Sequence, residues 1–150
     1  MDYFDSLSII APFIPNRQLI VIQLNALPNK EESEYFTDKV KTLAELIEGM
    51  PKVYEQDGKG DATIVYLHYF YGASDWYITE KDVNKDQNQA FGYCNFNDGQ
   101  SGELGYVSLS ELKKTGVELD LNWEIKTLGE VKNPAAPAED ALNFDFDEDD

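Results

Sequence analysis

Nearly every side chain from Thr63 to Tyr71, in the run Thr-Ile-Val-Tyr-Leu-His-Tyr-Phe-Tyr, is β-branched or aromatic. Such residues lose rotamer freedom in a helix and lie well on a pleated surface, so the run predicts a strand. Gly72-Ala73-Ser74 then turns the chain into Trp76-Tyr77-Ile78-Thr79-Glu80, and the two segments read as a hairpin. The polar stretch Lys85 to Asn88 precedes Ala90 to Phe96, and Asn97 to Gly102 precedes Leu104 to Val107. A meander of about four antiparallel strands is therefore expected. Ser108-Leu109-Ser110-Glu111 has the spacing of a capping box, and Gly116 is placed as a stop, so a one- or two-turn helix should close the meander. Leu121 to Ile125 alternates around Trp123 and reads as a last strand.

Upstream, Val40, Leu43, Ala44, Leu46, Ile47 and Met50 recur at spacings of three and four, which predicts an amphipathic helix over 37–50 with Thr37 as N-cap. Leu19-Ile20-Val21-Ile22-Gln23-Leu24, between two Pro-Asn pairs, is short and rich in β-branched residues, and is read as a strand. The expected fold is α+β: an antiparallel sheet of four to six strands with one amphipathic helix and a short second helix. Residues 1–132 form one domain in this reading, with 1–36 as an N-terminal extension carrying a strand. Residues 133–150 are a Pro/Ala linker and a disordered acidic tail.

Charge excludes one class of function. Lys and Arg number 12 against 29 Asp and Glu, a formal charge of −17, so direct binding to nucleic acid is not expected. The aromatic share of 13% is too high for a disordered acidic chain. All 12 bases lie between Arg17 and Lys132, whereas the tail holds seven acids and no base. Cys94 is the one cysteine, so an internal disulfide and a cysteine zinc cage are ruled out and a reducing, cytoplasmic setting is expected. The apolar run Ser8 to Pro15 follows acids and is cut by Pro12 and Pro15, so it is read as neither signal nor anchor.

Tests for chemistry favour structural roles. His68 lies inside an aromatic strand and is expected to be tucked away, and Cys94, flanked by Tyr93 and Phe96, reads as a buried inert thiol rather than as a dyad with His68. Asp82 to Asp86 begins like a calcium loop, but Gln87 stands where the turn glycine belongs and Tyr93 where the bidentate glutamate belongs. Glu80 and Glu103 have the makings of a carboxylate pair, yet fit solvent-facing ends of hairpin strands better. Asp57-Gly58-Lys59-Gly60-Asp61 lacks the hydroxyl residue and upstream glycine of a phosphate loop and reads as a surface turn. No catalytic residue, cofactor or metal is assigned.

Three blocks, Trp76 to Glu80, Ala90 to Cys94 and Gly102 to Leu112, resemble an uncharacterised family, domain of unknown function 2958, over roughly residues 43–131. The resemblance implies a protein of plasmids, phages or other mobile elements and supplies no catalytic residues. Carboxylates then stand out as the working surface: Glu31, Glu32, Glu34, Asp38, Glu45 and Glu48 on and before the helix, with Asp57 and Asp61 in the next turn. They are expected to imitate phosphates and occupy a basic, nucleic-acid-binding host protein, such as a restriction or CRISPR effector, with no enzymatic step and no membrane. A competing expectation places the function in the tail, where Phe144, Asp145, Phe146 and Asp147 resemble partner-recruiting tails of single-stranded-DNA-binding proteins.

Overall fold

The computed structural model describes residues 1–134 of the 150, so the tail residues Phe144 to Asp147 lie outside the described part. Three helices come first: α1 (Tyr3–Ile10), α2 (Asn16–Asn25) and α3 (Ser33–Glu48). The strands follow as β1 (Ile64–Val65), β2 (Leu67–Tyr71), β3 (Ser74–Glu80), β4 (Gln89–Asn95), β5 (Glu103–Ser108), β6 (Glu118–Leu119) and β7 (Lys126–Thr127). Helix α4 (Leu109–Leu112) sits after β5, and α5 (Leu128–Lys132) follows β7. The fold is α+β, with a five-stranded antiparallel sheet ordered β5-β4-β3-β2-β6 and a separate antiparallel pair β1-β7.

Strand alternation divides the large sheet into two faces. Leu67, Tyr69, Ile78, Ala90, Val107 and Leu119 are buried on the first face, against Ile10, Phe13, Ile22, Val40, Ala44 and Ile47 of the helical layer. Tyr69 is fully buried and its hydroxyl donates to the Phe13 carbonyl, so the largest core side chain has its polar atom satisfied. The second face carries a smaller cluster of Val65, Tyr93 and Leu128, with Tyr77, Trp123 and Val131 packed around it.

Residues 19–24 are helical, which corrects the expected strand. The Pro15 carbonyl accepts the Gln18 and Leu19 amides and starts α2. Helical spacing turns Leu19 and Ile22 inward and leaves Ile20, Val21 and Leu24 each more than half exposed. As a helix, this segment lies along the outer edge of β6 and meets it through side chains instead of pairing with it as a further strand. The Gln18 amide both donates to the Leu119 carbonyl (2.7 Å) and accepts the Leu119 N–H (2.9 Å), and Arg17 donates to the Val117 carbonyl. One side chain thus stands in for a neighbouring strand and blunts an edge that would otherwise recruit one.

Other boundaries move for equally local reasons. Helix α3 begins at Ser33, a turn before Thr37, because Phe36 extends the apolar stripe and packs on the core. The run Thr63 to Tyr71 divides at Tyr66 between two sheets. Leu121 to Ile125 is not a strand: Asp120 accepts the Asn122 and Trp123 amides in a side-chain-assisted turn, and pairing falls to β6 and β7 on either side. Ser108 does cap α4, accepting the Glu111 N–H, and a full capping box starts α5 through Thr127 and Glu130. No helix among the described residues is long and apolar enough to cross a membrane.

Gly92 in the middle of β4 offers a direct test of the sheet. A Cβ there would stand 2.3 Å from the Tyr77 carbonyl oxygen and 2.9 Å from the Ile78 Cα, both backbone atoms that cannot swing aside. Gly92→Ala is expected to cost about 3 kcal/mol or more, or to prevent folding, as read by urea denaturation.

Candidate functional site

The site starts from one irregularity in β3. Ile78 pairs with Gly92 and Glu80 with Phe91, so Thr79 is an extra residue with no partner in β4. Strict alternation would send Glu80 to the helical face with Ile78, and the bulge sends it to the second face with Phe91. There it is only 4% exposed, which corrects the expectation of a solvent-facing strand end. Burial holds the Glu80 carboxyl above its usual range, and the Asp57 and Glu55 charges push the same way, against the N–H groups of Tyr54 and Gln56.

The loop Val53 to Gly60 closes over this carboxylate. Glu80 Oε1 accepts the Tyr54 N–H at 2.7 Å, and Tyr54 sits at φ 81°, in the left-handed region that costs a bulky residue about 1–3 kcal/mol. Gln56, 3% exposed, anchors the loop: its Nε2 donates to the Ile64 and Thr79 carbonyls (2.9 and 2.8 Å) and its Oε1 accepts the Ile64 N–H (2.8 Å). The bulged residue is therefore tied to the loop it makes room for. A cavity of about 140 Å³ remains, lined by Glu80, Tyr54, Asp57, Thr79, Phe91 and Leu104 among others. Beyond the lining, the Tyr54 and Tyr106 hydroxyls hydrogen-bond at 2.7 Å, and the Tyr106 ring meets Phe91 edge-on at 5.4 Å.

Glu80, Lys81 and Asp82 are three successive buried charges, each satisfied differently. The Lys81 ammonium donates to the Ile47 and Glu48 carbonyls (2.8 and 3.2 Å) and caps the negative end of α3. Asp82 accepts the amides of Asn84 (3.0 Å), Asn88 (3.1 Å) and Gln89 (2.8 Å). Desolvation raises the Asp82 carboxyl, but these N–H groups outweigh it and hold the group below its usual range. The segment that begins like a calcium loop is thus wound around its own aspartate. Among the described residues no group of three His, Cys, Asp or Glu side chains is placed to hold a metal ion.

His68, further along the second face, is held on both nitrogens: Nε2 meets Asp75 Oδ1 at 2.7 Å and Nδ1 meets Asp120 Oδ2 at 3.0 Å. Its ring stacks on Tyr77 at 4.8 Å and lies 5.0 Å from Trp123. The ring is thus held between two carboxylates. The contact pins β2 to β3 through Asp75 and to the end of β6 through Asp120. Burial, then the Asp75 charge and Tyr93, push the Tyr77 hydroxyl up to about 12. Cys94 pairs with Trp76 and belongs to the helical face, opposite the face His68 occupies, so strand geometry excludes a Cys94–His68 dyad. Burial first, and the Glu103 charge second, push the Cys94 thiol up and keep it protonated. Glu103 pairs with Cys94 and Glu80 with Phe91, so the two glutamates stand apart along the sheet.

The acidic candidates divide into two groups. Glu31, Glu32, Glu34, Asp38, Glu45 and Glu48 are all exposed on α3 and the turn before it. Asp57 and Asp61 are exposed but belong to the loop on the other side of the sheet, where Asp57 lines the Glu80 cavity and Asp61 pairs with Lys132 at 3.1 Å. Tyr54, Gln56 and Tyr106 were beyond sequence reasoning; the one cue was the Gly58 and Gly60 pair, which marks a loop of unusual backbone and does not identify what it covers.

Two measurements test these assignments. His68→Ala is expected to cost about 2–4 kcal/mol, with Asp120→Asn costing clearly less in that background than alone, a coupling readable from a double-mutant cycle by chemical denaturation. For Glu80 the sign follows from its raised folded-state value: the group costs nothing at low pH, and an increasing amount as pH rises from the unfolded carboxyl range to the folded one. Glu80→Gln, which keeps an acceptor for the Tyr54 N–H, should therefore gain melting temperature relative to the parent as pH rises above the unfolded carboxyl range.

No curated protein and no solved structure matches the chain. A family model described as "Protein of unknown function (DUF2958)" matches residues 38–134, which take in α3 from Asp38 onward, both sheets and the Glu80 loop. That match covers more than half of the chain and runs slightly beyond both ends of the stretch marked by the three sequence blocks. With its cavity, its clamped histidine and the sheet that holds them all inside the matched region, this chain belongs to the DUF2958 family.

Proposed function

We propose that this protein is a cytoplasmic, non-enzymatic binding protein that docks a basic partner on the outer face of α3. The observation that carries the reading is the alignment of Glu34, Asp38, Glu45 and Glu48, all exposed. At roughly 100° per residue these positions fall within about 40° of one line along the helix, and at ~1.5 Å per residue the line is about 21 Å long. Glu31 and Glu32 extend it at the N-terminal end, and Lys41 interrupts it in the middle.

Charge density narrows the kind of partner. Four carboxylates and one lysine leave about one net charge per 7 Å, against one per ~1.7 Å of duplex axis. The stripe therefore imitates a few successive phosphates of a single extended strand, and a full duplex decoy would need several times the density. A nucleic-acid-binding protein of host defence, such as a restriction or CRISPR component, is the proposed partner in the mobile-element setting that the family resemblance suggests. Electrostatic complexes of this kind associate fast and weaken with salt.

The test is retention of basic nucleic-acid-binding proteins on the immobilised chain across a salt series. Retention at about 0.05 M salt that is lost by about 0.5 M, and reduced at least tenfold by the double variant Glu45→Lys/Glu48→Lys, is the expected result. Retention unaffected by the double variant overturns the α3 reading. Truncation after Lys132 separates the alternative: loss of the partner with the tail gone would assign recruitment to Phe144, Asp145, Phe146 and Asp147 instead.

A further inference from the structure

The Glu80 cavity is independent of the acidic stripe, since it lies on the opposite face of the sheet and is built from the bulge and the Val53 to Gly60 loop. Its wall combines features that point to one kind of occupant. A glutamate only 4% exposed is seldom left without a cation, yet among the described residues no lysine, arginine or histidine stands within 4 Å of Glu80. Tyr54, Phe91, Leu104 and Val53 give part of the remaining wall an aromatic and aliphatic surface, and polar residues and glycines supply the rest. The structure also spends backbone strain to place this loop: Tyr54 is held at φ 81° by a hydrogen bond to the same carboxylate.

We infer that this cavity binds the end of an alkylammonium, such as a lysine side chain, with the ammonium on the Glu80 carboxylate and the methylene stem between Tyr54, Phe91 and Leu104. Size limits the ligand first. About 140 Å³ is close to the ~150 Å³ that accommodates a benzene-sized molecule and far below the ~300 Å³ or more of a drug-sized pocket. Charge limits it next: a cation satisfies Glu80 and gains from the faces of the aromatic wall. Geometry then separates ammonium from guanidinium. A guanidinium fork uses both carboxylate oxygens side by side, and the Tyr54 and Gln56 N–H groups already draw on this carboxylate, whereas an ammonium needs only one remaining lone pair. Asp57, also among the lining residues, adds a second negative charge.

The experiment is a titration of the full chain with n-butylammonium chloride in about 0.15 M salt, which screens the acidic surface, followed by amide chemical shifts. n-Butanol serves as the neutral counterpart, N-acetyl-lysine methylamide presents the ammonium on a lysine in a chain, and its Nε-acetylated form removes that charge. Saturable shifts centred on Val53 to Gly60 and Glu80 are expected, with Kd of about 1–10 mM for so small a probe. The capped lysine should bind comparably, and butanol and the acetylated form at least tenfold more weakly. Glu80→Gln should reduce ammonium affinity at least tenfold, and Tyr54→Ala, at a position 70% exposed, several-fold. If Glu80→Gln fails to fold, Tyr54→Ala decides alone. Equal binding of butanol, shifts confined to the α3 surface, no shifts at all, or variants that bind like the parent would each overturn the assignment. A butylammonium response without a capped-lysine response keeps the site and assigns it to a free amine.

Discussion

One extra residue in β3 sets the geometry on which both faces of this molecule depend. Because Thr79 is unpaired, the residues after it are displaced by one step relative to the pleat. Glu80 is carried to the second face, Lys81 reaches the carbonyl end of α3, and Asp82 becomes the hub of the loop to β4. Without the bulge, alternation would point Glu80 into the apolar interior between sheet and helices, where no partner for it exists. The cavity, the cap on α3 and the β3–β4 connection are three consequences of the same irregularity.

Burial of Glu80, Lys81 and Asp82 in succession illustrates how a chain places charge inside without a single ion pair among the three. Backbone groups do the work. Lys81 is satisfied by helix carbonyls, Asp82 by loop amides, and Glu80 by the amides of Tyr54 and Gln56. The first two arrangements complete the hydrogen bonding of elements that need capping anyway, so they stabilise the fold. The third does not balance: its carboxyl is raised, its loop is strained at Tyr54, and a space is left beside it. A group that costs stability and borders a cavity is where function is usually found.

The two faces of the sheet are stabilised by different physics. Helices α1 to α3 bury an apolar face in the ordinary way, with Tyr69 hydrogen-bonded at its centre. The second face has too little apolar cover for that, and its small cluster is supplemented by the His68 clamp between Asp75 and Asp120 and by the Trp123 indole N–H on the Val65 carbonyl at 3.1 Å. Polar tethers give the second layer its position where hydrophobic area alone is modest. The helical layer leaves its outer surface free to carry the Glu34, Asp38, Glu45 and Glu48 stripe.

Much of the fold was legible in the residues themselves. The β-branched and aromatic runs, the three-and-four spacing of Val40, Ala44 and Ile47, and Ser108 as a cap act through neighbours in sequence, so strands β2 to β5, helix α3 and helix α4 follow from local chemistry. Net charge, the single Cys94 and the arrangement of acids on α3 were equally available, because they need only composition and a helical period. Tertiary structure alone decided the rest. Leu19 to Leu24 became a helix because its place in the molecule is on the edge of β6, and Leu121 to Ile125 lost its strand to the turn at Asp120. Burial of Glu80 was invisible because a β-bulge is defined by the partner strand: nothing in Trp76 to Glu80 records that Gly92 and Phe91 lie opposite Ile78 and Glu80 with no residue between them. Local preference determines which elements form, and only the pairing of distant segments determines which side of the sheet a given side chain meets.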